Sequence, residues 1–183
     1  MLASASGAAA FSPCGRYRWW LERRFVPAGA EPGGRLLFIG LNPSAAAADH
    51  DDPTLRRLQG FARGWGFGSL EVVNLFGRIT ASPAVLRRLP EPVGEQNDRW
   101  IAEGLSACDA VWLGWGNGGL WRDRHQEVLQ LISDTAATVP VGCIGFTAAG
   151  QPRHPLYAPA ASEWRPWATG STLRHPVPSR SCR

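Results

Sequence analysis

Four short loops hold the residues of this sequence whose types could do chemistry. Gly40-Leu41-Asn42-Pro43-Ser44 sets a carboxamide and a hydroxyl on a turn that glycine lets bend sharply or pass close to a ligand. Asn74 ends the run Leu70–Leu75, and Gly116-Asn117-Gly118 lies in a glycine-rich stretch. Arg153-His154-Pro155 offers the side chain most apt to move a proton near neutral pH, with Pro155 restricting the backbone before it. Each loop also has a plainer explanation. Asn74 could satisfy loop backbone, the glycines could form a permissive turn rather than a nest for an anion or base, and His154 could be an ordinary loop histidine. A second histidine-proline pair, His175-Pro176, follows no apolar strand and is set aside. Asp49, His50, Asp51 and Asp52 invite a metal, but Asp52 has a capping role and the other histidines are scattered, so no metal is expected. No dinucleotide or phosphate-loop glycine pattern occurs, and no cofactor is expected.

The loops gain weight from the elements that must carry them. Leu36–Ile39 is a short apolar run between glycines, as in a buried parallel strand. Asp52-Pro53-Thr54 announces a helix with Leu55, Leu58, Phe61, Ala62 and Trp65 at helical spacing, stopped by Gly66. Leu70–Leu75, Ala110–Leu113 and Val139–Phe146 read as three further strands, and helices are expected over Glu95–Ala107 and Leu120–Ser133. Thr80–Leu89 reads as a loop with one short helix, and Arg16–Phe25 as an edge strand or short helix. Its alternating aromatic and Arg residues either cover the core or form a platform for nucleic acid. Strand–helix alternation implies right-handed crossovers and a mostly parallel sheet, so all four loops fall along one edge and meet in one crevice.

The totals bound the rest. A chain of 183 residues, 44% apolar and 19% charged, suits one domain with a sizeable core, placed at 16–167 after a flexible leader at 1–15 and before a disordered basic tail at 168–183. The net charge is +4, and every basic residue is Arg, which permits a nucleic-acid partner without demonstrating one. Four scattered cysteines give neither a disulfide framework nor a zinc site, and Cys108 and Cys143 read as small core residues. With no signal peptide and no apolar run of ~18 residues, no membrane is expected and the cytoplasm is the expected location.

The sequence resembles the bacterial and phage family known as domain of unknown function 1643. The marks run from Arg16 to Trp167 and include LNPS at Leu41–Ser44, DDPT at Asp51–Thr54, GFARGWG at Gly60–Gly66, VVNLF at Val72–Phe76, ND at Asn97–Asp98, WGN at Trp115–Asn117 and GQPRHPLY at Gly150–Tyr157. It departs from the family pattern at Ala45 and Ala47, where Thr and Asp are expected, and at Ala148, where Lys is usual. More remotely, the motif order is similar to the uracil-DNA glycosylase superfamily, with Gly40-Leu41-Asn42-Pro43, Asn74 and His154-Pro155 at the matching places. That resemblance implies a three-layer α/β/α sandwich around a short, mostly parallel four-stranded sheet. It also implies hydrolysis of a base–deoxyribose bond in DNA or of a nucleotide. His154 would meet charge growing on the base, Asn74 would read the base edge, and Asn42 with Asp51 would position water. Phe76 would stack on the base and Arg153, with Arg56 and Arg57, would meet phosphate, while Gly40, Pro43, Ser44 and Asn117 would complete the binding surface. The alternatives are a nucleotide- or nucleic-acid-binding module without turnover and a protein-interaction domain.

Overall fold

The computed structural model describes residues 6–25, 33–44 and 50–167. Its seven strands are β1 (Ser6–Phe11), β2 (Arg18–Arg24), β3 (Arg35–Gly40), β4 (Ser69–Asn74), β5 (Ala110–Leu113), β6 (Val141–Cys143) and β7 (Arg165–Pro166). They form one sheet in the order β1-β2-β4-β3-β5-β6-β7. Four helices accompany them: α1 (Pro53–Gly64), α2 (Pro83–Leu86), α3 (Asn97–Ala107) and α4 (Arg124–Thr135). The protein is therefore α/β, with a mixed sheet. β4, β3, β5 and β6 run parallel, whereas β1 with β2 at one edge and β7 at the other pair antiparallel.

Seven strands replace the expected four for identifiable reasons. Arg16–Phe25 resolves to a strand because both of its faces are covered: Trp19, Leu21 and Arg23 are buried, and so are Arg18 and Glu22 opposite them. Ser6–Phe11, expected within a flexible leader, pairs with it as an outer strand; alanine and glycine have low strand propensity, so the neighbour and not the local sequence places them there. The fourth expected strand shortens to Val141–Cys143, and the chain turns at Gly145 with φ +132°. The helix expected from Leu120 starts at Arg124, because Arg122 and Asp123 take left-handed φ values of 58° and 53°. Residues 168–183 and positions Ala45 and Ala47 lie outside the described residues.

Period-two alternation on the parallel strands builds two cores. Leu37, Ile39, Val73, Val111 and Leu113 face Ile101 and Leu105 of α3 and Val128 and Ile132 of α4. Leu36, Phe38, Leu70, Val72 and Trp112 face the stripe Leu55, Leu58, Phe61 and Ala62 of α1. Asp52 caps α1 by accepting from the Leu55 amide at 2.6 Å, with Pro53 at the first position, as the sequence predicts. Cys108 and Cys143 are buried, and burial pushes the Cys108 thiol up to about 12, consistent with inert packing. Among the described residues no helix is long and apolar enough to cross a membrane. Ile101 is fully buried between α3 and the sheet. Ile101→Ala is expected to lower stability by about 2–5 kcal/mol, read from urea unfolding at constant m-value; a change under about 0.5 kcal/mol would contradict this account of the core.

Candidate functional site

The site begins at the ends of two neighbouring strands. Parallel register sets Gly40, the last residue of β3, opposite Asn74, the last of β4. Pairing continues one step further, with the Leu75 amide donating to Gly40 O at 2.9 Å and the Phe76 amide to Leu41 O at 3.0 Å. A Cβ on residue 40 would lie 2.9 Å from Phe38 Cε1 and 3.0 Å from Asn74 Oδ1, so only glycine lets the carboxamide and the aromatic ring share this space. Asn74 is 4% exposed, and its Nδ2 has no hydrogen-bond partner among the described residues.

Asn42 is fixed from its amide end. Its Nδ2 donates to Thr80 Oγ1 at 3.0 Å, Thr80 O at 3.2 Å and Pro43 O at 3.1 Å. The carboxamide oxygen is the end left to accept from a ligand. Ser44 Oγ donates to Asp52, whose other oxygen caps α1. The same carboxylate thus ends the first loop and starts the first helix.

His154 arrives on the chain that follows β6, the outermost of the parallel strands. Its loop is pinned by the Gly116 amide to Pro152 O at 2.8 Å, the Arg153 amide to Gly145 O at 2.8 Å, and Trp115 Nε1 to Gln151 Oε1 at 2.9 Å. The Leu156 amide donates to His154 Nδ1 at 3.3 Å, so the ring proton resides on Nε2. Burial pushes the imidazole below its ordinary value, and the Asp52 charge opposes that shift. A neutral donor results.

A cavity of about 360 Å³ joins these groups, within the ~300–1,000 Å³ range of small-molecule clefts. Gly40, Asn42, Ser44, Asn74 and His154 all line it, so five of the predicted site residues meet in one place. The other seven do not line it, Arg56 and Arg57 among them: Arg56 Nη1 donates to Asp51 O and Arg57 Nη2 to Ala158 O. Pro43 is buried in the loop, where its carbonyl accepts from the Thr80 amide. Asp51 is held by Arg23 at 2.8 Å and Gln59 at 2.5 Å; burial alone would raise its carboxyl, but these partners keep it below the usual range. Phe76 is fully buried against Trp121 on the α3–α4 side, with ring centroids 5.0 Å apart. Asn117 Oδ1 accepts from Thr147 Oγ1 at 2.6 Å, and Arg153 is exposed beside Phe146 O. Ala148 sits on an exposed turn outside the lining.

Sequence reasoning missed four contributors. Asp52 lines the cavity as well as capping α1. Arg18 reaches it from β2, where burial pushes its guanidinium down to about 10, with Asp52 opposing; it stays cationic at neutral pH. Thr80 supplies the anchor for Asn42, and its position beyond Asn74 carried no signal. Tyr157 is 87% exposed at the lining's edge, and its place after His154-Pro155 was the available clue.

The family model described as "Protein of unknown function (DUF1643)" matches residues 18–156. The chain belongs to this family. The matched span runs from Arg18 to Leu156 and so contains every lining residue named above except Tyr157. No curated protein and no solved structure matches the chain.

The histidine gives a pH dependence with a definite sign. His154 lies below its ordinary value of 6.5 in the folded protein, so the unfolded chain takes up a proton that the folded chain refuses. Its contribution to stability is present above about pH 6.5 and is lost as pH falls through the folded value. NMR titration is expected to place His154 below 6.5, and Asp52→Asn to move it lower still. His154→Gln should flatten the acid limb of a stability curve. A titration at or above the ordinary value would refute the buried neutral donor.

Proposed function

We propose that the cavity binds a nucleobase and that the protein hydrolyses N-glycosidic bonds, acting in the cytoplasm on a base in DNA or in a nucleotide. The observation that carries this reading is the buried Asn74 Nδ2, a donor without a partner among the described residues, which lines the same cavity as the neutral His154. An unmet buried donor costs about 1–3 kcal/mol, and a ligand acceptor removes that cost. The motif order, similar to that of the uracil-DNA glycosylase superfamily, supports the same assignment for Asn42, Asn74 and His154.

In the proposed reaction, water attacks the anomeric carbon as the carbon–nitrogen bond breaks, the bonding pair leaves with the base, and the proton shed by the water ends on the departing base. Nε2–H of His154 donates to the base oxygen on which negative charge grows, while Asn74 reads the adjoining edge. Asn42, accepting through its oxygen, orients the water. Asp52, and not the Asp51 expected to help position water, is the carboxylate that lines the cavity, where it attracts the positive charge developing on the sugar. Tyr157 replaces Phe76 as the aromatic at hand for an extruded base. A second reading, ligand binding without turnover, is favoured by the sequestration of Asp51 with Arg23 and Gln59.

Base release from uracil-containing and otherwise modified DNA, and from free nucleosides, separates the two. His154→Ala is expected to lower release by about 100- to 1,000-fold, as for loss of one preorganised oxyanion donor, and Asn42→Ala should also depress it. Thermal stabilisation by nucleosides without release would favour binding alone. Silence in both assays would overturn the nucleobase assignment.

A further inference from the structure

The Asn74 carboxamide is useful only if it is aimed, yet its Nδ2 has no tether among the described residues. Gly40 and Phe38 pack beside the carboxamide in front, and the backbone that carries it is held from the opposite side of the sheet. Asn97 Nδ2 donates to Asn74 O at 2.9 Å and to Leu75 O at 3.2 Å. Arg124 Nε donates to Leu75 O at 2.9 Å. The two carbonyls that follow the carboxamide are thus gripped by side chains from α3 and α4, and both grips are buried: Asn97 is 0% exposed and Arg124 3%.

Three features of Arg124 are unfavourable for the helix it begins. It is the first residue of α4, where the helix dipole disfavours a cation. It buries a charge, which requires Asp98 of α3 and Glu127, at 2.6 Å, to balance it. It also follows two successive left-handed residues, Arg122 and Asp123, among only three non-glycine residues with positive φ in the described chain. Backbone strain of that kind persists where the surroundings over-determine it, and it clusters at functional sites. The strained turn delivers the guanidinium to Leu75 O.

We propose that Asn97 and Arg124 are positioning residues that clamp the end of β4 from behind and so aim the Asn74 carboxamide into the cavity. The assignment rests on the reading that Asn74 meets a ligand there. Asp98 and Glu127 serve the same clamp by orienting the guanidinium. Arginine suits this place because its fork donates in several directions at once. A lysine keeps the charge but cannot hold two carboxylates and the carbonyl together.

The side-chain amide of Asn74 reports the clamp without any ligand. Its NMR cross-peaks are identified by their loss in Asn74→Asp. In Arg124→Lys and Arg124→Met they are expected to shift or broaden, while the indole N–H of the fully buried Trp112 stays in place as evidence of an intact fold. Uridine affinity by calorimetry should fall about tenfold in Arg124→Lys. The same substitution should have no further effect in an Asn74→Ala background, because its influence passes through Asn74. Where Arg124→Met does not fold, Arg124→Lys carries the comparison, since it keeps the charge for Asp98 and Glu127. Unchanged Asn74 amide signals in Arg124→Lys would overturn the proposal, and so would losses of affinity that simply add. Failure of the wild-type protein to bind uridine would count against the nucleobase reading alone, and the amide signals would still decide the clamp.

Discussion

The parallel pairing of β3 with β4 is the constraint on which the rest of the molecule depends. A slip of one residue would exchange the faces of every side chain on β3, turning Leu36 and Phe38 away from α1 and Leu37 and Ile39 away from α3. Both faces of β3 are apolar, so side-chain shape and not polarity resists that slip: Phe38 packs edge-on against Trp112, ring centroids 4.9 Å apart, and in this register Gly40 stands beside Asn74. The absent Cβ, the buried carboxamide and the edge of Phe38 then define the floor of the cavity together. Asn42 is only two residues past Gly40, so the same register sets its reach to Thr80. The site is an outcome of core packing carried a few residues beyond the strands.

How much of this was legible in the sequence follows from how local each signal is. The end of β3, the Asp52 cap and the stripe of α1 are written in adjacent residues, and all stand as the sequence predicts. The meeting of Asn42, Asn74 and His154 needed only strand order and direction, which the alternation of elements implied. Stacking by Phe76 was not legible, because the side of the sheet that a residue faces just past a strand depends on the turn taken after Leu75. Nor was the contrast between Asp51 and Asp52. These neighbours differ in role because Arg23 and Gln59 reach one and Ser44 and Leu55 the other, all through tertiary geometry. Ser6–Phe11 was hidden for a related reason: an alanine-rich strand is specified by its partner, not by its own propensity.

Charge in the cavity obeys a different rule from charge on the body. Arg99 pairs with Glu103 at 2.8 Å on exposed side chains, where such a bridge contributes little. Arg18 and Asp52 instead face a partly buried space, where the lower dielectric lengthens the reach of each charge. There Asp52 acts on two groups at once: it opposes the loss of charge that burial imposes on Arg18, and it opposes the lowering of His154. Burial wins at the histidine: the loss of hydration outweighs the attraction of the one carboxylate that faces it. The neutral Nε2–H that burial leaves on His154 is a donor that need not first surrender a proton. Asp52, the cap of α1, therefore acts on a guanidinium from β2 and an imidazole from the last loop, two groups far apart in sequence that meet only at this carboxylate.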